Sequence, residues 1–168
     1  MSLSPMPADR KESLSLHVAT VTRRNECSPL SRIKALPYLD NVLALQEARA
    51  HGADEAILLN TRGSIACASS ANVFALRGGR LETPPISDGA LPGTMRALVL
   101  ALAKEVGLVA AENQLRAEDL AGADEVFLTN SISRLTATCT LNGEPFGRRT
   151  TGVLEQLRAL IAARFDAA

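Results

Sequence analysis

Alternating apolar and polar residues predict several short strands. From Leu14 to Thr22, alternate positions including Leu14, Leu16 and Val18 are apolar, which is typical of a half-buried strand. The dipeptide Gly78-Gly79 separates two further runs and predicts a tight hairpin. The remaining predicted strands are bounded by turn residues and comprise 56–60, 72–76, 81–83, 108–114, 125–129 and 135–141. Asn142-Gly143 predicts the turn that closes the last of them.

Helical spacing of apolar residues predicts four helices. The first covers 36–50, and the second begins with Thr94 as its N-cap and ends at Gly107. The third is a short helix at 117–120, and the fourth covers 153–165. Strands and helices alternate irregularly, without repeats or linkers. The pattern therefore predicts one α/β or α+β domain over residues 14–168, with a mixed sheet and flanking helices, after a flexible leader at 1–13.

Composition narrows the classes of function. The 168 residues are 46% hydrophobic and 21% charged, and 18 basic residues balance 18 acidic ones. This excludes a disordered chain, and the absence of a basic block excludes the footprint of a nucleic-acid binder. Apolar runs are too short to span a membrane. Three cysteines without a CxxC pair indicate a reducing, cytoplasmic location and argue against a zinc site.

Histidine and lysine are the candidate catalytic groups of this sequence. His17 and His51 lie near no Gly-x-Ser-x-Gly turn, so a serine triad is not supported, and His51 is explained as a residue at a helix C-terminus. Among the three lysines, Lys34 has apolar neighbours and lies where the chain enters the helix predicted over 36–50. Desolvation by those neighbours would lower its pKa and make it a nucleophile, with an ordinary surface lysine as the alternative.

Two segments contain groups that could hold an anion. In 91–96, Gly93 precedes a helix start whose free N–H groups could receive a phosphate. In 129–133, small polar side chains follow a predicted strand and could hold phosphate oxygens or only build a turn.

Together these segments resemble a known family. Arg32-Ile33-Lys34 with the following helix, Ser69 to Phe74, Thr83 to Gly93, and Ala123 to Thr129 occur in the order and spacing of the fold-type IV pyridoxal-phosphate enzymes. That family includes branched-chain and D-amino-acid aminotransferases and aminodeoxychorismate lyase. The resemblance implies the family's large C-terminal domain, a pseudo-barrel of mixed sheet with flanking helices. It also implies a homodimer in amino-acid metabolism.

The resemblance assigns roles to individual residues. Lys34 would form a Schiff base with pyridoxal 5'-phosphate and later move the substrate's proton. Backbone N–H groups of Gly93, Thr94 and Met95 would bind the cofactor phosphate. Asn130 and Ser131 would complete the phosphate-binding site. Thr94-Met95 after the glycine, and Asn130 before Ser131, favour the lyase over the branched-chain aminotransferase.

Cys67 departs from the family pattern, which usually has a glutamate there to keep the pyridine nitrogen protonated. A thiol is a poor counter-ion, so the resemblance implies a weaker electron sink and argues against ordinary transamination. The sequence leaves two interpretations of Cys67 open, a cofactor contact and a small buried residue.

The sequence thus predicts a pyridoxal-phosphate enzyme acting on amino-acid-like small molecules, either a lyase or a class IV aminotransferase. The family's smaller N-terminal domain has no counterpart in this sequence, which predicts a half-open pocket and low activity for the chain alone. The alternative is a non-catalytic, cofactor-free remnant of the fold that serves as a binding or dimerisation module.

Overall fold

Nine strands form one mixed sheet in the part of the chain that the structure, a computed structural model, describes, namely residues 11–145 and 151–166. The strands are β1 (Ser13–Val18), β2 (Glu55–Leu59), β3 (Ile65–Ala68), β4 (Asn72–Arg77), β5 (Arg80–Thr83), β6 (Val109–Glu112), β7 (Glu125–Asn130), β8 (Arg134–Leu141) and β9 (Glu144–Pro145). The helices are α1 (Leu39–Ala50), α2 (Thr94–Leu102), α3 (Ala117–Ala121) and α4 (Val153–Asp166).

The sheet has the order β3-β2-β1-β8-β7-β4-β5-β6, with β9 paired to β8. Strand β1 runs parallel to both β2 and β8, and β5 runs parallel to β6, whereas the other pairs are antiparallel. The predicted mixed sheet is therefore confirmed. The Gly78-Gly79 hairpin is confirmed as well, because both glycines have positive φ angles, 53° and 78°.

The two ends of the sheet approach each other. The N–H of Ile65 in β3 donates to the carbonyl of Leu115, three residues beyond the opposite end strand β6, at 2.8 Å. Apolar side chains fill the space that the curled sheet surrounds; they include Leu16, Ile57, Ile65, Val73, Ala75, Leu115, Val126 and Leu128. This curl produces the half-barrel that the family resemblance implied.

The central pair β4–β7 is buried on both faces. Successive side chains point to opposite faces, and apolar residues cover each face. Val73 and Val126 point into the half-barrel, while Phe74 and Phe127 point to the outer face, where α2 and α4 cover them. The two phenylalanine rings stack with centroids 5.2 Å apart. Each fully buried aromatic ring contributes about 2–3 kcal/mol to stability.

Several predicted boundaries were wrong for identifiable reasons. The first strand ends at Val18 instead of Thr22, because the Glu47 carboxylate on α1 accepts the N–H groups of Thr20 and Val21. Strand β3 was not predicted. Helix α1 begins at Leu39 instead of Leu36, since Pro37 biases the preceding residue away from helix.

The predicted leader at 1–13 is only partly described, because residues 1–10 lie outside the described residues. Ser13 already belongs to β1, and Lys11 forms an ion pair with Asp54 at 2.5 Å. The closing helix, predicted over 153–165, is confirmed as α4. Among the described residues, no helix has the length and apolar character needed to cross a membrane.

Glu47→Gln is expected to lower the free energy of unfolding by about 2 kcal/mol at pH 7, because an amide cannot accept every hydrogen bond that this carboxylate receives. Burial opposes ionisation of Glu47, but hydrogen bonds from Thr20 and Val21 lower its pKa to about 2. That value is below the pKa of about 4.3 in an unfolded chain, so this stabilisation is present above pH 4.3 and is lost as the pH falls toward 2.

Urea unfolding of both proteins between pH 7 and pH 2 measures this effect. The difference between them should shrink as the pH falls, and Glu118→Gln, on the exposed surface of α3, should match the parent throughout. A difference between Glu47→Gln and the parent that is as large at pH 2 as at pH 7 would contradict the assignment.

Candidate active site

Lys34 lies in the segment between a short 3-10 turn (Pro29–Arg32) and α1. Its Nζ atom is 5.6 Å from the centroid of the Tyr38 ring, a cation–π contact. The predicted desolvation of Lys34 was wrong. Lys34 is exposed, and its apolar neighbours Ile33 and Leu36 point to solvent, Leu36 with 98% of its surface accessible.

Tyr38 is the only tyrosine of the chain and was not identified from the sequence. It is half-buried at the start of α1. Burial raises its pKa above the ordinary value, the Cys67 thiolate that forms only at high pH and the Glu55 carboxylate act in the same direction, and Arg24 opposes them. Cys67, Arg24 and Glu55 thus act electrostatically on Tyr38. Tyr38 lies four residues after Lys34 in the sequence, and this spacing could have pointed to it as a site residue. No feature of the sequence pointed to Arg24 or Glu55.

Cys67 lies in β3 with 6% of its surface accessible. It packs in a cluster of small apolar side chains with Ala19, Ala44, Ala48, Ala56, Leu58 and Ala66. Burial raises the pKa of its thiol to about 11, with Arg24 opposing and Glu55 reinforcing the rise. The thiol is therefore neutral at physiological pH and cannot supply negative charge to the site. Its packing agrees with the interpretation of Cys67 as a small buried residue.

The N-terminus of α2 provides free N–H groups, although not all of those predicted. Gly93, not Thr94, occupies the N-cap position, and its N–H donates to the carbonyl of Leu91 at 2.8 Å. The Gly93 N–H is therefore paired within the chain, and its contact with an anion stays a prediction. Thr94 and Met95 are in the first turn, where N–H groups have no acceptor within the helix. The Met95 side chain is buried in the core, which leaves only its main chain for binding.

The two segments proposed separately for anion binding meet in the structure. The hydroxyl oxygens of Thr94 and Ser131 are 3.1 Å apart, and both residues are exposed. Asn130 holds this turn: its Oδ1 accepts the N–H groups of Ile132 and Ser133 at 2.9 and 2.7 Å. Its Nδ2 donates to a neighbouring carbonyl. Because these polar atoms are engaged, the side chain of Asn130 shapes this turn rather than facing a ligand.

The turn Ser69–Ser70 connects the two ends of this surface. It follows Cys67 by two residues, and the Ser70 carbonyl accepts the amide of Asn130 at 3.3 Å. On its other side, Asn41 of α1 donates to the Ser69 carbonyl at 2.8 Å. The exposed amine of Lys34 beside the Tyr38 phenol therefore lies toward one end of this surface, and the pair Thr94 and Ser131, here called the anion cup, lies toward the other. Lys34, Thr94 and Ser131 are all exposed, so the surface is open to solvent.

Other features of the described chain lie outside this surface. His17 and His51 stack with ring centroids 4.3 Å apart, and both contact Glu47. A cavity of about 1030 Å³ is lined by residues of β1, β8 and α4, including Arg158, and by Lys11 ahead of β1. The charged groups of Lys11 and Arg158 are already paired, with Asp54 and Glu155. The described residues contain no group of His, Cys, Asp and Glu that could hold a metal ion.

Known proteins share both the sequence pattern and the fold. The family model of amino-transferase class IV matches residues 1–139. The branched-chain-amino-acid aminotransferase of Escherichia coli (strain K12) is 37% identical over 115 residues, which cover 68% of this chain and 37% of the relative. The chain spans about half the length of other curated relatives that it matches.

Two solved structures are similar over most of this chain. A putative 4-amino-4-deoxychorismate lyase from Legionella pneumophila has a TM-score of 0.85 and 28% identity, covering 92% of this chain and 57% of that one. The branched-chain amino acid aminotransferase of Thermobaculum terrenum, in its PLP-form, has a TM-score of 0.82 and 34% identity. That match covers 88% of this chain and 49% of the other.

Gly93→Ala is expected to destabilise the fold by about 1–3 kcal/mol, because an added Cβ would lie 2.2 Å from Oδ1 of Asn72. Asn72 cannot turn away freely, since its Nδ2 donates to the Leu91 carbonyl. Thermal unfolding measures the loss. Gly122→Ala is the matched control, because its Cβ meets no atom closer than 3.5 Å.

The second substitution Asn72→Ala should make Gly93→Ala less costly, because it removes the obstructing atom. Equal costs of Gly93→Ala in the presence and absence of Asn72 would contradict this packing.

Proposed function

Because the chain belongs to the class IV aminotransferase family, we propose that it forms part of a pyridoxal-phosphate-dependent enzyme that acts on amino-acid-like substrates. The observation that carries this proposal is the meeting of Thr94 and Ser131. The Ser69–Ser70 turn links this pair through Asn130 to the start of α1, where Lys34 lies beside Tyr38. An accessible amine and an anion cup are the two features that an aldehyde with a phosphate group requires.

The residues present fit this cofactor. The phosphate would be held by the Thr94 and Ser131 hydroxyls and by the N–H groups of Thr94 and Met95, at the positive end of the α2 dipole. The amine of Lys34 is exposed and therefore accessible to the aldehyde. Tyr38 offers an aromatic face and a phenol beside that amine.

When bound, pyridoxal phosphate draws electrons from the bonds at the substrate's α-carbon. Lys34 would hold the cofactor covalently through Nζ and, once released by the substrate amine, would remove the proton from the α-carbon. Asn130 would keep Ser131 in place by forming the turn around it. Cys67 would contribute no negative charge, because its thiol stays neutral.

We favour the lyase reaction among those of the family. The neutral Cys67 and the sequence Thr94-Met95 support it, as does Asn130 before Ser131. In this reaction, proton removal by Lys34 promotes loss of pyruvate and leaves 4-aminobenzoate. The second candidate is amino-acid transamination, which the similarity to branched-chain aminotransferases supports. There Lys34 would pass the proton on, and a 2-oxo acid would be released.

We further infer a homodimer in the cytoplasm. Large apolar side chains around the start of α1 are exposed in the single chain: Leu30, Ile33, Leu36, Leu39, Val42 and Leu43. Covering them on association would remove apolar surface from water. Sedimentation as a 17.8 kDa monomer at micromolar concentration would contradict the homodimer.

Reduction with borohydride after incubation with pyridoxal phosphate is expected to label Lys34 alone. The reagent fixes the bond between an amine and the aldehyde, and peptide mass spectrometry identifies the lysine that carries it. Lys34→Ala should abolish the label, whereas Lys104→Ala, which removes another exposed lysine, should leave it unchanged. Labelling of no lysine, or of Lys11, Lys34 and Lys104 alike, would contradict the proposal and favour a cofactor-free binding module.

The double variant Thr94→Val with Ser131→Ala is expected to bind pyridoxal phosphate about tenfold more weakly, because two hydroxyl donors to the phosphate are lost. Pyridoxal, which lacks the phosphate, serves as the internal control and should bind both proteins equally. Absorbance titration gives both dissociation constants. An equal loss of affinity for the two ligands would show that these hydroxyls do not contact the phosphate.

A further inference from the structure

Glu55 is a buried carboxylate at the first position of β2, with 6% of its surface accessible. Its Oε1 accepts the N–H groups of Ala56 and Ser69, at 2.8 and 3.1 Å. Its Oε2 accepts the hydroxyl of Ser70 at 2.8 Å. A buried carboxylate costs several kcal/mol unless such bonds satisfy it. The strand itself needs no charge here, since the next three residues are buried and apolar.

The bonds from Glu55 hold the Ser69–Ser70 turn, which two other elements also hold. Asn41 of α1 donates to the Ser69 carbonyl, and Asn130 at the end of β7 donates to the Ser70 carbonyl. Side chains from three distant segments of the chain thus form hydrogen bonds with the two residues of this turn. Glu55 is the one that accepts from the turn, and it is the one that carries a charge.

This turn lies between the two ends of the candidate site. Toward one end, Asn41 joins the turn to the start of α1, where Tyr38 is the N-cap residue. Toward the other, Asn130 joins the turn to the loop that carries Ser131. A shift of the turn would therefore change the separation between the amine end and the anion cup. A ligand that occupies both ends depends on that separation.

We propose that Glu55 is a positioning residue that fixes the Ser69–Ser70 turn and thereby sets the distance between the Lys34–Tyr38 end and the Thr94–Ser131 cup. This inference rests on the proposed function. Glu55 touches neither end of the site and acts through the turn. Its negative charge also reaches the site, because it raises the pKa of both Tyr38 and Cys67.

Shape and charge can be separated with two variants. Glu55→Ala removes the bonds of the Glu55 carboxylate to Ser69 and Ser70, so the affinity for pyridoxal phosphate should fall at least tenfold. Glu55→Gln keeps the shape: its carbonyl can still accept from Ser69, and its amide can donate to the Ser70 hydroxyl. It should therefore bind within about threefold of the parent. Absorbance titration measures all three dissociation constants, and urea unfolding measures stability in parallel.

Glu82→Ala is the matched control for general destabilisation. Glu82 is a buried carboxylate of β5 that accepts from Arg77 and Asn113, none of which belongs to the candidate site. It should lose stability as Glu55→Ala does but keep the parent's affinity. The positioning role would be overturned if Glu55→Ala bound pyridoxal phosphate as tightly as the parent. It would also be overturned if Glu82→Ala lost as much affinity for pyridoxal phosphate as Glu55→Ala. If the parent bound no cofactor, the proposed function would fail first.

Ser70→Ala provides a test should Glu55→Ala not fold. Ser70 is exposed, so the substitution leaves the core intact while it removes one bond between Glu55 and the turn. It should weaken binding about threefold, and unchanged affinity in this variant would overturn the role.

A second readout needs no cofactor. The chain has one tyrosine and no tryptophan, so ultraviolet titration of the phenolate reports Tyr38 alone. Glu55→Gln should lower the pKa of Tyr38 relative to the parent, while Glu82→Gln should not. Circular dichroism at each pH confirms that the chain is folded. Identical titration curves for the parent and Glu55→Gln would contradict the placement of this charge beside the site.

Discussion

The antiparallel pairing of β4 with β7 is the constraint on which the rest of the structure depends. Both strands are buried on both faces, so a slip of one residue would exchange the half-barrel side chains with those under α2 and α4. The stacked rings of Phe74 and Phe127 fix that register from the outer face. Because the strands run in opposite directions, the beginning of β4 lies beside the end of β7, where Asn72 pairs with Thr129.

The candidate site follows from this pairing. The turn before β4 and the loop after β7 emerge at the same edge of the sheet, so Ser70 and Asn130 are hydrogen-bonded. Asn72 at that edge touches Gly93 and so sets where α2 begins. The pairing register of β4 and β7 thus determines where these polar residues at the strand ends lie, and they in turn position Thr94 and Ser131. The amine of Lys34 depends less on the core, since it lies on an exposed segment before α1.

Local patterns predicted the local features well. Gly78-Gly79 specified its hairpin because only glycine takes two successive positive φ angles at little cost. Contacts between distant segments could not be read from the sequence: nothing near Glu55 or Arg24 indicated that they would approach Tyr38. The expected desolvation of Lys34 failed for the same reason, because apolar neighbours in sequence desolvate an amine only when the fold turns them inward. The family resemblance, in contrast, was confirmed, because it rests on several segments at once.

The most direct test of the account is a crystal structure of the chain after incubation with pyridoxal phosphate and reduction with borohydride. The account predicts continuous electron density from Nζ of Lys34 to the ligand, with the phosphate at the N-terminus of α2 between Thr94 and Ser131. A ligand attached to Lys34 whose phosphate lies away from these hydroxyls would contradict the claim that the two ends form one site. Attachment to another lysine would contradict the assignment of the amine itself.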